Sequence, residues 1–145
     1  MAVSSGGGHW VQLVRLREAF DHHDVVFVTV NEHYRDDLHK RDRLEIVPDA
    51  TRWDKVGLVK LACRLLLLMV RYRPHVIVST GAAPGLLALQ LGKLLRAQTV
   101  WIDSIANSEE VSLSGQRAGR IADLWLTQWP HLAGDDGPDY EGAVV

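Results

Sequence analysis

The sequence predicts a doubly wound α/β domain built around a mainly parallel β-sheet. Short segments rich in Val, Ile and Leu alternate with helical segments along the 145-residue chain, an alternation typical of repeated strand–helix–strand units. The strand segments are apolar at successive positions, as expected when helices cover both faces of a parallel sheet. The chain length suits one domain of this kind.

The first half of the chain contains three predicted strands and two predicted helices. The strands are expected at residues 1–4, 24–30 and 43–47, and the helices at 10–20 and 53–73. Leu13, Leu16 and Phe20 recur at helical spacing and define the first helix. Pro74 ends the second helix, because proline disfavours helical geometry at the residue before it. The polar segment 31–40 is expected to be a loop with at most one helical turn.

The second half continues the same alternation. Strands are expected at 75–79, 98–103, 123–127 and 140–145, and helices at 85–96 and 115–122. The small-residue segment 80–84 and the polar segment 104–114 are expected to be loops. Pro130 follows the third of these strands and ends it, and the turn-rich segment 134–138 precedes the last one.

Composition excludes several classes of protein. Hydrophobic residues make up 47% of the chain and charged residues 23%, which excludes global disorder. The net charge of -2 creates no positive field for nucleic acid, so no nucleic-acid partner is expected. Cys63 is the only cysteine, which excludes a disulfide scaffold, and its leucine-rich surroundings predict a small buried side chain. The longest apolar run without Gly or Pro has six residues, whereas a membrane-spanning helix needs about 20.

Three loops that are polar or rich in glycine follow predicted strands, at 4–9, 79–84 and 103–107. Ligands bind beyond the carboxyl ends of the strands in such sheets. The glycines of the first loop allow close approach of a ligand, and the helix that follows points amide groups and a positive dipole end at it, which suits a phosphate or diphosphate. The alternative is that these glycines only make a tight turn. The loop matches neither the dinucleotide-binding nor the Walker pattern.

His9 and Asp103 are the candidate catalytic residues of these loops. His9 starts a helix, where it can bind a phosphate or transfer a proton, because imidazole exchanges protons near neutral pH; alternatively it is a surface or capping residue. Asp103 has three interpretations: a catalytic base, a carboxylate that binds a hydroxyl group, or a cap. His22-His23-Asp24 resembles metal ligands only loosely, so no metal site is predicted.

The long helix at 53–73 is apolar around most of its circumference. Its basic residues Lys60, Arg64 and Arg71 project within about 40° of one another at about 100° per residue. A basic stripe beside leucines suits anionic lipid headgroups. The alternative is an interior helix with one solvated, charged edge.

Three blocks of sequence resemble a group of inverting glycosyltransferases. They are Ser4-Ser5-Gly6-Gly7-Gly8-His9, then Val78-Ser79-Thr80-Gly81, and a block comprising Asp103-Ser104-Ile105, Ser112-Leu113-Ser114-Gly115, Ala122-Asp123-Leu124 and Gln128-Trp129-Pro130. Across almost its whole length the sequence is similar to the membrane-anchoring subunit family of the two-chain UDP-N-acetylglucosamine transferase of lipid-linked oligosaccharide assembly. It is also similar to related subunits of bacterial exopolysaccharide biosynthesis.

This resemblance implies that residues 1–145 form a single Rossmann-like, acceptor-binding domain, the amino-terminal half of a GT-B glycosyltransferase. It implies direct transfer with inversion, without a metal or another cofactor. His9 and Asp103 would be catalytic, His9 being preferred. The residues that would approach the acceptor or its diphosphate are Ser5, Gly6, Gly7, Gly8, Thr80, Gly81 and Ser104.

Four positions depart from the family pattern. Trp10 and Gln12 stand where relatives often have threonine and glutamate, and Asp103 and Asn107 stand where many have glutamate and arginine. Many relatives also carry an amino-terminal membrane helix without a counterpart here, so we expect a cytoplasmic protein bound peripherally to the inner face of the cell membrane.

The expected partners are a separate donor-binding subunit and a polyprenyl-diphosphate-linked sugar as acceptor. Two alternatives remain open at this stage. The first is a non-catalytic scaffold that recruits a glycosyltransferase to the membrane. The second is a small nucleotide-binding α/β protein unrelated to sugars.

Overall fold

The computed structural model describes residues 1–51 and 53–144. Its seven strands form one sheet in which every neighbouring pair is parallel. The strands are β1 (Ala2–Val3), β2 (Val26–Thr29), β3 (Arg43–Ile46), β4 (Val76–Ser79), β5 (Gln98–Ile102), β6 (Leu124–Thr127) and β7 (Asp139–Tyr140). Their order across the sheet is β3-β2-β1-β4-β5-β6-β7, so the predicted doubly wound parallel fold is confirmed.

In the part of the chain that the structure describes, four α-helices and three short 3₁₀ segments connect these strands. The α-helices are α1 (Gly8–Arg15), α2 (Lys55–Tyr72), α3 (Ala82–Leu94) and α4 (Leu113–Ala118). The 3₁₀ segments are Leu16–Phe20, which continues α1, Glu32–Asp37 and Pro130–Leu132. The helical turn suspected between 31 and 40 is therefore the second 3₁₀ segment.

Three helices begin earlier than the sequence predicts, and α1 does so at Gly8 instead of residue 10. Helix α3 begins at Ala82 instead of residue 85, because Gly81 turns the chain directly after β4 with φ of 139°, and Pro84 is tolerated in a first helical turn. Helix α4 begins at Leu113 instead of residue 115. The Ser112 side chain caps it by accepting a hydrogen bond from the Gly115 amide at 2.9 Å.

The predicted last strand at 140–145 is mostly wrong. Strand β7 comprises only Asp139–Tyr140, which pairs with β6. Gly142 turns the chain with φ of 114°, a conformation that suits glycine and interrupts an extended strand. Val145 lies outside the described residues.

Helices pack on the two faces of the sheet in two separate cores. On one face, α2, α3 and α4 bury residues such as Leu61, Leu89 and Ala118 against Ile77 and Trp101. On the other face, α1 packs Trp10 and Leu13 against Ala2 and Phe27. Right-handed crossovers explain this division, because the connections to the left and right of β1 must pass over opposite faces.

The face that carries α1 is only partly covered beyond β1. Ala2 lies in register with Val78, Val78 with Val100, and Val100 with Leu124, so this apolar row continues across the sheet. Val78 and Val100 are half-buried and Leu124 is 40% exposed. Parallel sheets are normally covered on both faces, so we call Val78, Val100 and Leu124 the open row.

Helix α2 has apolar residues on two opposite faces. Leu61, Leu65 and Leu68 are buried against the sheet. The opposite face exposes Val56, Val59, Leu66, Leu67 and Val70. Cys63 lies on this exposed face, so its predicted burial is wrong. A helix that is apolar around its circumference has no periodicity that distinguishes its inner face.

The basic residues of α2 do not form one free stripe. Arg64 pairs with Glu45 at 2.9 Å, whereas Lys60 and Arg71 are exposed. In residues 1–51 and 53–144, no helix combines the length and the hydropathy needed to cross a bilayer.

Candidate functional site

The strand order reverses between β1 and β4, and the loops after these two strands meet there. Such a switch point leaves a crevice at the carboxyl edge of the sheet, where α/β proteins bind ligands. The loop after β1 leads into α1, and the loop after β4 leads into α3. The predicted convergence of these two loops is therefore observed.

The glycine loop, residues 4–8, leaves open space at this edge. Gly7 precedes α1 with φ of 65°, in the left-handed region that favours glycine. A β-carbon on Gly7 or Gly8 would meet no atom within 4 Å. No side chain caps α1, so the amide groups of its first turn remain available to an anionic ligand.

His9 and the loop after β4 form a reciprocal clamp. The His9 Nδ1 atom lies 2.9 Å from the Thr80 carbonyl oxygen, and the Thr80 hydroxyl donates to the His9 carbonyl oxygen at 2.7 Å. Because a carbonyl oxygen only accepts, Nδ1 carries the hydrogen, and the lone pair of a neutral ring lies on Nε2. Among the described residues, Nε2 has no hydrogen-bond partner. His9 is thus oriented as a proton acceptor.

Gly81 makes this orientation possible. A β-carbon at Gly81 would lie 2.4 Å from His9 Nδ1, so only glycine lets the imidazole ring pack over the loop. Gly81 also precedes α3 without a side-chain cap. Both helices that begin at the switch point therefore have glycine at the N-cap and uncapped first turns.

Asp103 is surrounded by donors from its own loop. It is 2% exposed. One carboxylate oxygen accepts from Trp101 Nε1 at 3.1 Å and the Ser112 hydroxyl at 2.5 Å. The other accepts from the Asn107 side chain at 3.2 Å and the Ser112 amide at 2.9 Å. This geometry matches the cap interpretation of Asp103, because each oxygen already has two donors.

Gly115 completes the packing around Asp103. A β-carbon on Gly115 would lie 2.6 Å from an Asp103 oxygen. Ser112 both binds Asp103 and caps α4. The motif Ser112-Leu113-Ser114-Gly115 is therefore explained by the space and the hydrogen bonds that Asp103 requires.

Two glutamines connect α1 to the loop after β5. Gln12 is 5% exposed and donates to the Ser104 hydroxyl at 3.0 Å. Gln128 is 3% exposed and donates to Gln12 Oε1 at 2.8 Å and to the Asp103 carbonyl oxygen at 2.9 Å. The sequence indicated Gln12 only as a departure from the family pattern. Gln128 belongs to the motif Gln128-Trp129-Pro130, which is the one feature of the sequence that could have marked it as a residue of the site.

Asp123, in the motif Ala122-Asp123-Leu124, joins β5 to β6. Its carboxylate accepts from the Thr99 amide at 2.8 Å and from the Lys93 ammonium group at 2.5 Å. The hydrogen bond from Lys93, followed by those from Thr99, holds the pKa of Asp123 below its usual range. This motif residue stabilises the sheet and lies away from the glycine loop.

The structure brings three of the predicted site residues into direct contact, and it gives two others different hydrogen-bond partners. His9, Thr80 and Gly81 are in direct contact, and the glycine loop adjoins them along the chain. Ser5 is half-buried, and its carbonyl oxygen accepts from Thr29 at 3.3 Å. Ser104 is buried in the glutamine network.

Tyr34 was not predicted as a site residue. Its hydroxyl oxygen accepts a hydrogen bond from the Gly7 amide at 2.8 Å. Its ring stacks on Trp10, with the ring centroids 4.9 Å apart. No local pattern identifies this contact, because the two residues meet only when β2 lies beside β1.

Three cavities among the described residues lie near the amino ends of the strands, away from the glycine loop. A cavity of about 600 Å³ opens at the amino ends of the strands, lined by residues such as Met1, Val26 and Pro74. It lies at the opposite edge of the sheet from the glycine loop. Within the described ranges, no group of His, Cys, Asp and Glu could hold a metal ion.

Comparison with protein families identifies the chain's relatives. The family described as "Oligosaccharide biosynthesis protein Alg14 like" matches residues 55–143. The chain belongs to this family. The match includes Thr80, Gly81 and the complete block from Asp103 to Pro130, and the resemblance recognised from the sequence motifs is confirmed.

Two curated relatives carry the name UDP-N-acetylglucosamine transferase subunit ALG14. The protein of Eremothecium gossypii is 28% identical over 165 aligned residues, covering 92% of this chain and 73% of the relative. The protein of Yarrowia lipolytica is 33% identical over 86 residues, covering 54% of this chain and 39% of the relative.

Solved structures agree on the fold of this Alg14-like chain. MurG of Acinetobacter baumannii matches with a TM-score of 0.75 and 10% identity over 99% of this chain and 46% of MurG. The UDP-GlcNAc 2-epimerase of Methanocaldococcus jannaschii matches with a TM-score of 0.64 and 8% identity, covering 87% of this chain and 38% of the epimerase. This chain therefore spans less than half of each solved structure.

Proposed function

We propose that this chain is the acceptor-binding and partner-recruiting subunit of a two-chain, inverting glycosyltransferase. The enzyme would transfer a sugar from a nucleotide-sugar donor to a polyprenyl-diphosphate-linked saccharide in oligosaccharide or exopolysaccharide biosynthesis. The observation that carries this proposal is the clamp between His9 and Thr80 beside an open glycine loop, in a chain of the Alg14-like family.

The glycine loop would hold the acceptor's diphosphate. Gly6, Gly7 and Gly8 allow close approach, and the first turn of α1 supplies amide donors and the positive end of the helix dipole. Thr80 and Gly81 would form the opposite wall of the crevice. Ser5 and Ser104 contribute indirectly in this arrangement, because their contacts support the loops behind it.

His9 would act as the general base through Nε2. The acceptor hydroxyl oxygen bonds to the anomeric carbon of the donor sugar, while the bond from that carbon to the nucleotide's phosphate oxygen breaks. Nε2 takes the hydroxyl proton, and the nucleoside diphosphate leaves with the electron pair, so the configuration at the carbon inverts. Thr80 keeps the imidazole in the tautomer this step needs, much as an orienting carbonyl or carboxylate does for other catalytic histidines.

A separate donor-binding chain would complete the active site and pack on this subunit. The open row of Val78, Val100 and Leu124 is part of an apolar face of the kind that is normally covered in a parallel sheet. Residues 140–144 of the tail lie at the same end of the sheet, and the Val144 amide donates to Gln128 at 2.8 Å. The tail thereby connects the docking region to the glutamine network of the site.

Helix α2 would contact the membrane with its exposed face. Val59, Leu67 and Val70 are each at least 60% exposed, and Lys60 and Arg71 flank them. This combination of an apolar stripe and basic residues suits an anionic lipid surface. Arg64, which pairs with Glu45, contributes less than the sequence suggested.

A substitution of His9 tests the catalytic part of the proposal. In a complex with the donor-binding chain, His9→Ala should lower kcat by about 10²-fold, the scale of losing a general base. His23→Ala, at an exposed histidine, is the matched control and should leave kcat unchanged. The wild-type chain assayed without its partner should be inactive.

The second candidate function is a non-catalytic scaffold. It is favoured by Asp103, whose oxygens are occupied by its own loop, which leaves His9 as the remaining candidate base. An unchanged kcat for His9→Ala, with the complex intact, would select the scaffold.

Vesicle binding tests the membrane surface. Replacing Lys60 and Arg71 by glutamine should weaken binding to vesicles containing anionic lipid by about 30-fold, since each basic residue near such a surface contributes about 1 kcal/mol. Replacing the exposed Arg117 and Arg120 by glutamine removes the same charge from another surface. Equal sedimentation of both double variants with vesicles would exclude α2 as the contact.

A further inference from the structure

Tyr34 reaches the glycine loop from the neighbouring strand connection. The 3₁₀ segment Glu32–Asp37 follows β2 and is capped by Asn31, whose side chain accepts from the His33 amide at 3.0 Å. This turn directs the Tyr34 hydroxyl to Gly7, whose amide donates to it at 2.8 Å. A β-carbon at Gly6 would lie 3.0 Å from the same hydroxyl oxygen, so the approach depends on glycine.

Trp10 fixes the Tyr34 ring. The two rings are stacked, with an interplanar angle of 12°. The indole nitrogen of Trp10 donates to Asp37 at 2.7 Å, and the indole packs edge-on against Phe27 with centroids 6.2 Å apart. Trp10 is 1% exposed. The hydroxyl of Tyr34 is therefore held in place by a buried, hydrogen-bonded neighbour.

The Tyr34 hydroxyl group accepts a hydrogen bond but does not donate one within the described residues. Its oxygen accepts from Gly7, while its own hydrogen has no acceptor among the described residues. A phenol carries one donor hydrogen. The Gly7 amide is thus occupied, and a phenolic donor is presented at the open loop instead. The diphosphate of a polyprenyl-diphosphate-linked sugar is esterified at both ends, so its free oxygens are anionic acceptors at neutral pH and complement that donor.

We infer that Tyr34 binds the acceptor's diphosphate by donating its hydroxyl hydrogen to a phosphate oxygen, with Trp10 as the residue that positions it. This inference rests on the proposed function, since it specifies a further contact of the same acceptor site. It also gives a physical role to Trp10, one of the positions that depart from the family pattern.

The test is a titration of the full chain with inorganic pyrophosphate, followed through the amide NMR signals of Gly7 and Gly8. Tyr34→Phe keeps the ring stack and removes the hydroxyl, and it should raise the Kd for pyrophosphate by about 10-fold, the scale of one hydrogen bond to a charged group. Tyr72→Phe is the matched control, because Tyr72 lies at the end of α2, away from the glycine loop, and donates to Glu45 of β3. It should bind as the wild type does.

The outcomes separate this inference from the proposed function. Unchanged binding by Tyr34→Phe would overturn the inference and leave the diphosphate site intact. Tighter binding would also overturn it, because the hydroxyl would then only compete with the ligand for the Gly7 amide. If the wild-type chain binds no pyrophosphate at the loop, both the diphosphate site and the role of Tyr34 fail.

A measurement on the assembled enzyme distinguishes ligand binding from loop support. Tyr34→Phe should raise the KM for the polyprenyl-diphosphate acceptor and leave the KM for the nucleotide sugar unchanged. An equal rise in both values, or a fall in kcat alone, would overturn the inference. The melting temperature of Tyr34→Phe measures any general loosening of the fold.

Discussion

The loops after β1 and β5 lie at the same edge of the same sheet and are built in opposite ways. The loop after β1 has exposed glycines, open space at Gly7 and Gly8, and an uncapped helix behind it. The loop after β5 is closed on itself: Asp103 is buried and accepts hydrogen bonds from Trp101, Asn107 and Ser112.

The difference separates ligand binding from support. The first-turn amide groups of α1, which no side chain caps, give the loop after β1 hydrogen-bonding capacity for a ligand. A loop whose carboxylate is saturated has none to spare, and it stabilises its surroundings instead. The helix caps follow the same division, since glycines precede α1 and α3, whereas Ser112 caps α4. We therefore expect substitutions in the closed loop to lower stability and those in the open loop to lower activity.

The largest effect is expected in the closed loop. Asp103→Ala would leave the buried indole nitrogen of Trp101 and three partly buried donors of Asn107 and Ser112 without this acceptor, at about 1–3 kcal/mol for each group left unsatisfied. The free energy of unfolding should fall by about 3 kcal/mol or more, measured by urea denaturation. Glu109→Ala, at an exposed acidic residue of the same loop, should change stability by less than about 0.5 kcal/mol. A stable Asp103→Ala variant without transferase activity would reverse the comparison and make Asp103 a ligand-binding residue.

Gly81→Ala tests whether activity depends on the orientation of His9 beside the open loop. The added β-carbon would lie 2.4 Å from His9 Nδ1, at a φ of 139°, so the imidazole must move off the loop. We expect kcat of the assembled complex to fall by about 10²-fold, as for the loss of the base itself. Gly134→Ala adds the same atom where no neighbour lies within 4 Å and should leave kcat unchanged. Full activity of Gly81→Ala would mean that the orientation of His9 is unimportant.

The sequence predicted the architecture better than it predicted which loop binds a ligand and which loop supports the fold. Runs of β-branched residues identify strands such as β2 and β4, and a parallel sheet must bring the loops that follow them to one edge. Asp103 illustrates what the sequence could not decide. A catalytic base, a hydroxyl-binding carboxylate and a cap were all compatible with the sequence, and only the hydrogen bonds in the structure favour the cap. Cys63 was misplaced because α2 is apolar on two faces. Tyr34 meets Gly7 across the sheet, and no spacing along the chain encodes that contact.

The smallest effect concerns the connection between the two loops. Gln12 follows His9 by one helical turn and donates to Ser104, and its own oxygen accepts from Gln128. This buried network is the path by which the closed loop can hold α1, and with it His9, in position. Gln12→Ala removes a donor and an acceptor, and the free energy of unfolding should fall by about 1–2 kcal/mol. If the network positions α1, kcat should also fall, by less than for Gly81→Ala.

A double-mutant cycle of Gln12→Ala with Gln128→Ala measures the coupling between these two side chains, which should exceed about 0.5 kcal/mol for residues in contact. Additive effects on stability, with kcat unchanged in both single variants, would mean that the open loop keeps its geometry independently and that the closed loop supports only its own half of the sheet.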